Sequence, residues 1–333
     1  MLISMPKSGT VFVLLFLAAT TVARAGTAIS ADDLSWLKKI SAAARQAEYS
    51  GTYIYQSGNY VETSRITHVL EGENEHERLE GLDGERSEII RKNNQIWCYL
   101  GDSKVMVAKR GGARTFPALL PEQLDLLLKN YQISDGKEDR VAGFHAHSIV
   151  FRPKDRMRYS HKMWAHNDSG LLLKAVVMDE HEHVIEQYAF TQLKIGGDID
   201  RKWIRQEKPA NQKDENSSVI TPDQDSGHIP STSGWNVYAL PVGFKKIAEV
   251  SRRLRGNDLP VTHLVYSDGL VGISVFIEKL GEKSGGRQGL YSNGVIHVFT
   301  KVLDKNLLTV VGEVPPLTVM KVAESVRYEG GGQ

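Results

Sequence analysis

The stretch Tyr49-Ser50-Gly51-Thr52-Tyr53-Ile54-Tyr55 decides the fold class. Tyr49, Gly51, Tyr53 and Tyr55 alternate with Ser50, Thr52 and Ile54, the period-two pattern of a half-buried strand. Val61–Leu70 continues in the same way. Further short runs follow at His76–Leu82, Ser87–Lys92, Gln95–Leu100 and Lys104–Lys109. Between them lie Gly58-Asn59, Gly72, Asp83-Gly84, Asn93-Asn94 and Gly101-Asp102, turn residues at hairpin spacing. The pattern predicts a meander of antiparallel strands. On its N-terminal side Leu34, Leu37 and Ile40 recur at helical spacing beside Trp36, which predicts a short helix through Arg45 capped by Asp32 or Asp33.

One helical insertion interrupts the meander. Leu119–Tyr131 has Pro121 near its start and places Leu124, Leu127, Leu128 and Tyr131 on one stripe. Strands resume at Asp139–Phe151, Tyr159–His166, Leu171–Asp179 and Val184–Leu193. So long an antiparallel sheet has to curl around its apolar face or pack against helices. The leucine stripe fits a filled core and the wall of a hydrophobic cavity equally.

Pro209–Gly234 breaks the pattern. Its only simple apolar residues are Ala210, Val219, Ile220 and Ile229, and none is aromatic. Residues 206–234 therefore read as a polar linker between a 26–205 domain and a 235–328 domain. The second domain carries two strong hairpin signals, Asp268-Gly269 between Val261–Tyr266 and Leu270–Glu278, and Asn293-Gly294 between Gly289–Ser292 and Val295–Leu303. Leu307–Val311 adds a strand. Pro315-Pro316 then opens a terminal helix with Val319, Val322, Ala323 and Val326 on one side. The fold class is α+β and β-rich: a large antiparallel domain followed by a smaller α+β one.

At the N-terminus Lys7 precedes the apolar run Val11–Ala19, followed by Ala23-Arg24-Ala25. These are the charged region, apolar core and A-x-A site of a secretory signal peptide, residues 1–25, cleaved after Ala25. The 333-residue chain would lose 25 residues, Lys7 and Arg24 among them, leaving 308. The 41 basic and 40 acidic groups of the whole chain nearly cancel, which argues against nucleic acid as a partner. The single cysteine, Cys98, excludes an intrachain disulfide and any cysteine-rich metal site. In Gln95–Leu100 it reads as a buried, inert thiol.

Catalytic signals are absent. There is no G-x-S-x-G elbow, no phosphate loop and no G-x-G-x-x-G after a strand. Gly281–Gly289 lacks that spacing and reads as a flexible loop. His145–His147 and His181–His183 place imidazoles two apart, but isolated histidines are common and no helical H-E-x-x-H accompanies them, so neither a metal nor another cofactor is assigned. A hydrolase with a nonstandard Asp/His site is the weakest rival. Pro153–Tyr159 gathers cations around Asp155: a turn stapled by an Asp–Arg hydrogen bond is favoured over a polar recognition site, with Asp139-Arg140 a candidate for the same network. Lys245-Lys246 and Arg252-Arg253-Arg255 form the clearest basic cluster, suited to an acidic partner, to lipid phosphates or to a solvated face.

Several stretches together resemble one family: Ser50–Tyr55, Glu62–His68, Glu77–Gly84, Asp139–Gly143, Asp155–Tyr159, Gly170–Lys174, Val265–Phe276 and Val310–Pro316. In this order they are similar to the RseB/MucB family, periplasmic regulators of the σE-type envelope-stress response. The resemblance covers nearly the whole chain after the signal peptide. It implies that the large domain is a curved, unclosed β-barrel with covering helices, similar to the lipoprotein carriers LolA and LolB. It implies that the small domain contributes most to binding the periplasmic region of a membrane anti-sigma factor, which binding shields from the site-one protease. It further implies that mislocalised lipoprotein acyl chains or lipopolysaccharide are the release signals, and that the chain is not an enzyme. Trp97, Leu119, Leu120, Leu124, Leu127 and Leu128 are the candidates for a lipid-binding face. Arg252, Arg253, Arg255, His263, Tyr266 and Phe276 are those for the partner surface, Phe276 reading better as core. A plain lipoprotein or lipid carrier is the alternative function, and a homo-oligomer is left open.

Overall fold

A computed structural model describes residues 31–93, 95–101, 103–108, 115–122, 124–205, 229–230, 233–252, 260–280 and 288–330. The signal peptide, most of the polar linker, Arg253, Arg255 and the glycine-rich 281–287 stretch lie outside the described residues.

The chain opens with α1 (Ala31–Gln46) and runs through β1 (Tyr49–Ser57), β2 (Tyr60–Glu71), β3 (Asn74–Gly81), β4 (Ser87–Lys92), β5 (Gln95–Leu100) and β6 (Ser103–Ala108). After α2 (Asp125–Asn130) come β7 (Tyr131–Val141), β8 (Phe144–Pro153), β9 (Ser160–His166), β10 (Leu172–Met178), β11 (Val184–Ile195) and the short α3 (Lys202–Arg205). The strands form one 11-stranded antiparallel sheet in the order β6-β5-β4-β3-β2-β1-β11-β10-β9-β8-β7. The first six strands meander outwards from β1 and the last five return to it, so among the described residues β6 and β7 are the edges of the sheet. This is the curved, unclosed barrel that the resemblance implied.

The tyrosine alternation that opens the first strand holds locally. Tyr49, Gly51 and Tyr53 are buried on β1. Gly51 is required there: a Cβ would lie 2.6 Å from the Gln192 carbonyl and 2.9 Å from Leu193 Cδ1, beside the bulge where Thr52 and Tyr53 meet β11. The concave face is filled. Leu37, Ile40 and Ala44 of α1 pack there with Phe116, Leu120, Leu124 and Leu127, against Tyr53, Ile66, Phe151 and Leu172 of the sheet. On the outer face, Trp203 and Ile204 of α3 cover Val69.

Three local expectations are corrected. The α1 helix already includes Asp32 and Asp33, so neither caps it. The insertion is helical only over Asp125–Asn130; Leu119–Pro121 are irregular and Tyr131 already starts β7. The run Asp139–Phe151 is not one strand: Ala142 and Gly143, both at positive φ (49° and 88°), turn β7 into β8. Beyond these, Lys245–Arg252, which holds Lys245, Lys246 and Arg252 of the basic cluster, forms a strand that carried no strand reading.

The second unit holds β12 (Ile229–Pro230), β13 (Trp235–Val237), β14 (Lys245–Arg252), β15 (Val261–Ser267), β16 (Gly272–Lys279), β17 (Gly289–Asn293), β18 (Ile296–Leu303) and β19 (Asn306–Gly312), then α4 (Pro316–Glu324) and β20 (Val326–Tyr328). Seven of its strands form an antiparallel sheet in the order β12-β14-β15-β16-β19-β18-β17, while β13 and β20 pair as a ribbon. Pro316 fits the first turn of α4, where its missing N–H is not needed. Val319, Val322 and Ala323 of that helix pack on Leu264, Ile273, Val275, Leu308 and Val310, closing a second core with Trp235.

Candidate functional site

The two cores meet at a joint built from turns. Asp155, in the β8–β9 turn, accepts a hydrogen bond from Arg158 at 2.9 Å, the staple expected from the sequence. Arg158 also reaches across to Asp268 of the β15–β16 turn at 3.2 Å, with side-chain exposures of 1% and 0%. Its guanidinium donates to the Val242 carbonyl and lies over the rings of Tyr131 and Phe244, 5.7 and 5.2 Å from their centroids. Asp268 accepts further bonds from the Tyr131 hydroxyl at 2.9 Å and from the backbone N–H groups of Leu270 and Val271 at 2.9 and 3.0 Å. This carboxylate is both the turn-former of its own hairpin and the anchor of the other domain. Asp139 and Arg140 take no part: Asp139 accepts from Trp164 Nε1 at 3.2 Å, and Arg140 donates to the Gly143 carbonyl.

Four smaller contacts extend the joint. Thr318 of α4 donates to the Met157 carbonyl at 3.1 Å. Tyr159 and His297 meet at 2.9 Å, and the other nitrogen of His297 meets Ser292 at 2.6 Å. Gly243 lies directly against the Asn130 side chain, and Gly294 against Ser57.

Beside this network the concave end of the large sheet and the face of the small sheet opposite α4 enclose a cavity of about 450 Å³. Met163, Ala175 and Tyr188 wall it from one side, Val265, Ser274 and Val311 from the other. Cross-strand register puts each trio in one row, Met163–Ala175–Tyr188 and Val265–Ser274–Val311. His161, Glu186 and Glu313 supply its ionisable groups. Desolvation lowers His161 to about 4, which the nearby Asp268 opposes. Desolvation raises Glu186 to about 7; the Tyr55 hydroxyl, 2.9 Å away, opposes this and Glu313 adds to it. Glu313 is exposed by surface area, and the desolvation of its carboxyl at the cavity wall raises it.

The residues proposed from sequence scatter over this frame. Leu119 lines the cavity, whereas Leu120, Leu124 and Leu127 are buried in the large core and Leu128 packs against it. Trp97 is half-buried on β5 with Lys92 Nζ 6.0 Å from its ring centroid, away from the cavity. Tyr266 is buried in the small core and touches the cavity. His263 is buried and stacks on Phe276 at 4.1 Å and 12°. Phe276 is half-buried on the sheet face opposite the core residues Val275 and Ile277, which corrects its reading as core. Arg252 ends β14. The free thiol of Cys98 is half-buried, and desolvation pushes its pKa up. His147 pairs with Asp135 and His183 with Asp179; among the described residues no group of three His, Cys, Asp or Glu side chains is placed to hold a metal ion. Asp268, Glu186 and Glu313 were missed as site residues. Only Asp268 carried a signal, its Asp-Gly turn.

The MucB/RseB N-terminal domain family matches residues 32–208 and the MucB/RseB C-terminal domain family residues 230–327. The sigma factor AlgU regulatory protein MucB of Pseudomonas aeruginosa is 32% identical over 316 residues, covering 91% of this chain and 93% of that protein. The sigma-E factor regulatory protein RseB of Escherichia coli K12 is 25% identical over 295 residues, covering 88% and 89%. The crystal structure of MucB in complex with MucA(peri) superposes with a TM-score of 0.70 at 29% identity, covering 90% of this chain and 99% of that one. With both halves matched in order, this chain belongs to the MucB/RseB family.

Proposed function

We propose that this chain is a periplasmic negative regulator of a σE-type envelope-stress pathway. It binds the periplasmic region of a membrane anti-sigma factor and shields it from regulated proteolysis. The observation that carries the reading is the family match across both domains, together with a similar fold solved in complex with MucA(peri). Export follows from a signal peptide over residues 1–25 cleaved after Ala25. The 26–205 domain responds to lipid-bearing signals, mislocalised lipoprotein or lipopolysaccharide, and the 235–328 domain, joined through the 206–234 linker, holds the partner. Its contact surface includes the Arg252–Arg255 cluster and the stacked His263–Phe276 pair.

Ligand and partner then oppose each other reciprocally, because a signal that favours one arrangement of the joint must weaken whatever requires the other. A plain carrier needs the large domain alone, whereas both family halves match here, which favours the regulator. The test is partner affinity with and without a lipidated peptide or lipopolysaccharide. A several-fold loss of affinity is expected; unchanged affinity overturns the switch. Deleting residues 209–333 abolishes partner binding in this reading, while a carrier would still transfer lipid.

A further inference from the structure

The cavity at the joint has an unusual charge. Its walls are mainly hydrocarbon, yet Glu186 and Glu313 approach it from opposite domains, and no lysine or arginine is among its described lining residues. Arg158, the nearby buried cation, is committed to Asp155 and Asp268. An acid withdrawn from water, as Glu186 is and the exposed Glu313 is not, is normally matched by a cation or by hydrogen bonds. Glu186 has one such bond, from Tyr55. A third group points the same way. His161 lines the cavity at 8% exposure, and its Nε2 has no hydrogen-bond partner. The volume, about 450 Å³, falls within the range of small-molecule sites.

We propose that this chamber binds a small amphiphilic amine, its ammonium held between Glu186 and Glu313 with His161 Nε2 as acceptor and its hydrocarbon part laid along Met163, Val265 and Val311. The inference goes beyond the lipid-signal reading, since it requires a charge opposite to that of a phosphorylated lipid. A neutral imidazole, as desolvation makes His161, accepts a hydrogen bond from an ammonium without repelling it. A carboxyl held near neutrality must lose its proton to pair with a cation, so binding releases protons and tightens as pH rises from 6 to 8. The other ionisable groups facing Glu186 are Tyr55 on β1, Tyr188 on its own strand, His161 on β9 and Glu313.

The experiment is calorimetric titration of the exported chain, without partner, with octylamine, octan-1-ol and octanoate. Octylamine is expected to bind at least about tenfold more tightly than octanol, with octanoate weakest, and its heat should vary with buffer ionisation enthalpy. Glu186→Gln and Glu313→Gln should each weaken octylamine about tenfold and leave octanol unchanged, in variants whose folding circular dichroism verifies. Equal binding of amine and alcohol means a purely apolar hollow and overturns the proposal. So does tighter binding of octanoate, or octylamine affinity unaltered in both variants. Partner affinity is not read, so failure here leaves the regulator reading separately testable.

Discussion

Arg158 Nη1 lies 3.2 Å from the Asp268 carboxylate, and the two side chains, from different domains, are almost wholly removed from solvent. Breaking a buried pair by removing one partner costs about 3–5 kcal/mol, because the survivor is left uncompensated. Asp268→Ala should cost more than Arg158→Ala, since it also strands the Tyr131 hydroxyl and two backbone N–H groups. In a double-mutant cycle read by denaturant unfolding, the double variant should be less destabilised than the sum of the singles.

The cavity acid and the cavity histidine should tilt stability in opposite directions with pH. Glu186 is raised from 4.5 to about 7, so between those values the folded chain holds a proton that the unfolded chain has released, and stability falls as pH rises. His161 is lowered from 6.5 to about 4, so across that range the unfolded chain binds the extra proton, and stability falls as pH drops. The windows overlap and the effects partly cancel in the natural chain. Thermal melts from pH 4 to 8 should show stability rising more steeply with pH in Glu186→Gln and falling more steeply in His161→Gln.

Gly243 and Gly72 both have positive φ, at 86° and 63°, but only Gly243 faces another residue, the side chain of Asn130. Alanine at Gly72 meets open space and should cost about 1–2 kcal/mol from backbone strain alone. Alanine at Gly243 should cost more, and Asn130→Ala should recover the excess but not the strain. Unfolding midpoints of the three single variants and the 130/243 double decide it.

Leu127, wholly buried, separates a packed core from a lipid surface. As core, Leu127→Ala should lower stability by about 2–5 kcal/mol. A side chain that lined an open lipid face would lose lipid binding with little change in unfolding midpoint, and urea titration tells the two apart.

Much of the frame was readable because its signals are local. The tyrosine alternation gives β1, and Asp268-Gly269 and Asn293-Gly294 give their hairpins, since each turn needs only its own residues. The β7–β8 turn was hidden because Ala142, at φ 49°, carries no turn chemistry of its own. Strand β14 was hidden because a register shift between Lys246 and Ala248 breaks the alternation and leaves Ile247 exposed. An Asp–Arg staple around Asp155 was legible within its own turn, although not which arginine makes it, and the contact of Arg158 with Asp268 was not. No periodicity records a contact between separate domains, and the acids of the joint are invisible to sequence for the same reason.

The large sheet ends in two loose seams, β6 and β7. A cylinder sealed by hydrogen bonds has its girth set by strand number and stagger. A sheet with free margins obeys no such condition, and its radius can change through a slight rotation at every ladder without breaking any of them. The bore is therefore set by what stands inside it: the helix α1, and the insertion leucines where they meet the neighbouring domain. Altering either resizes the vessel while its weave stays whole.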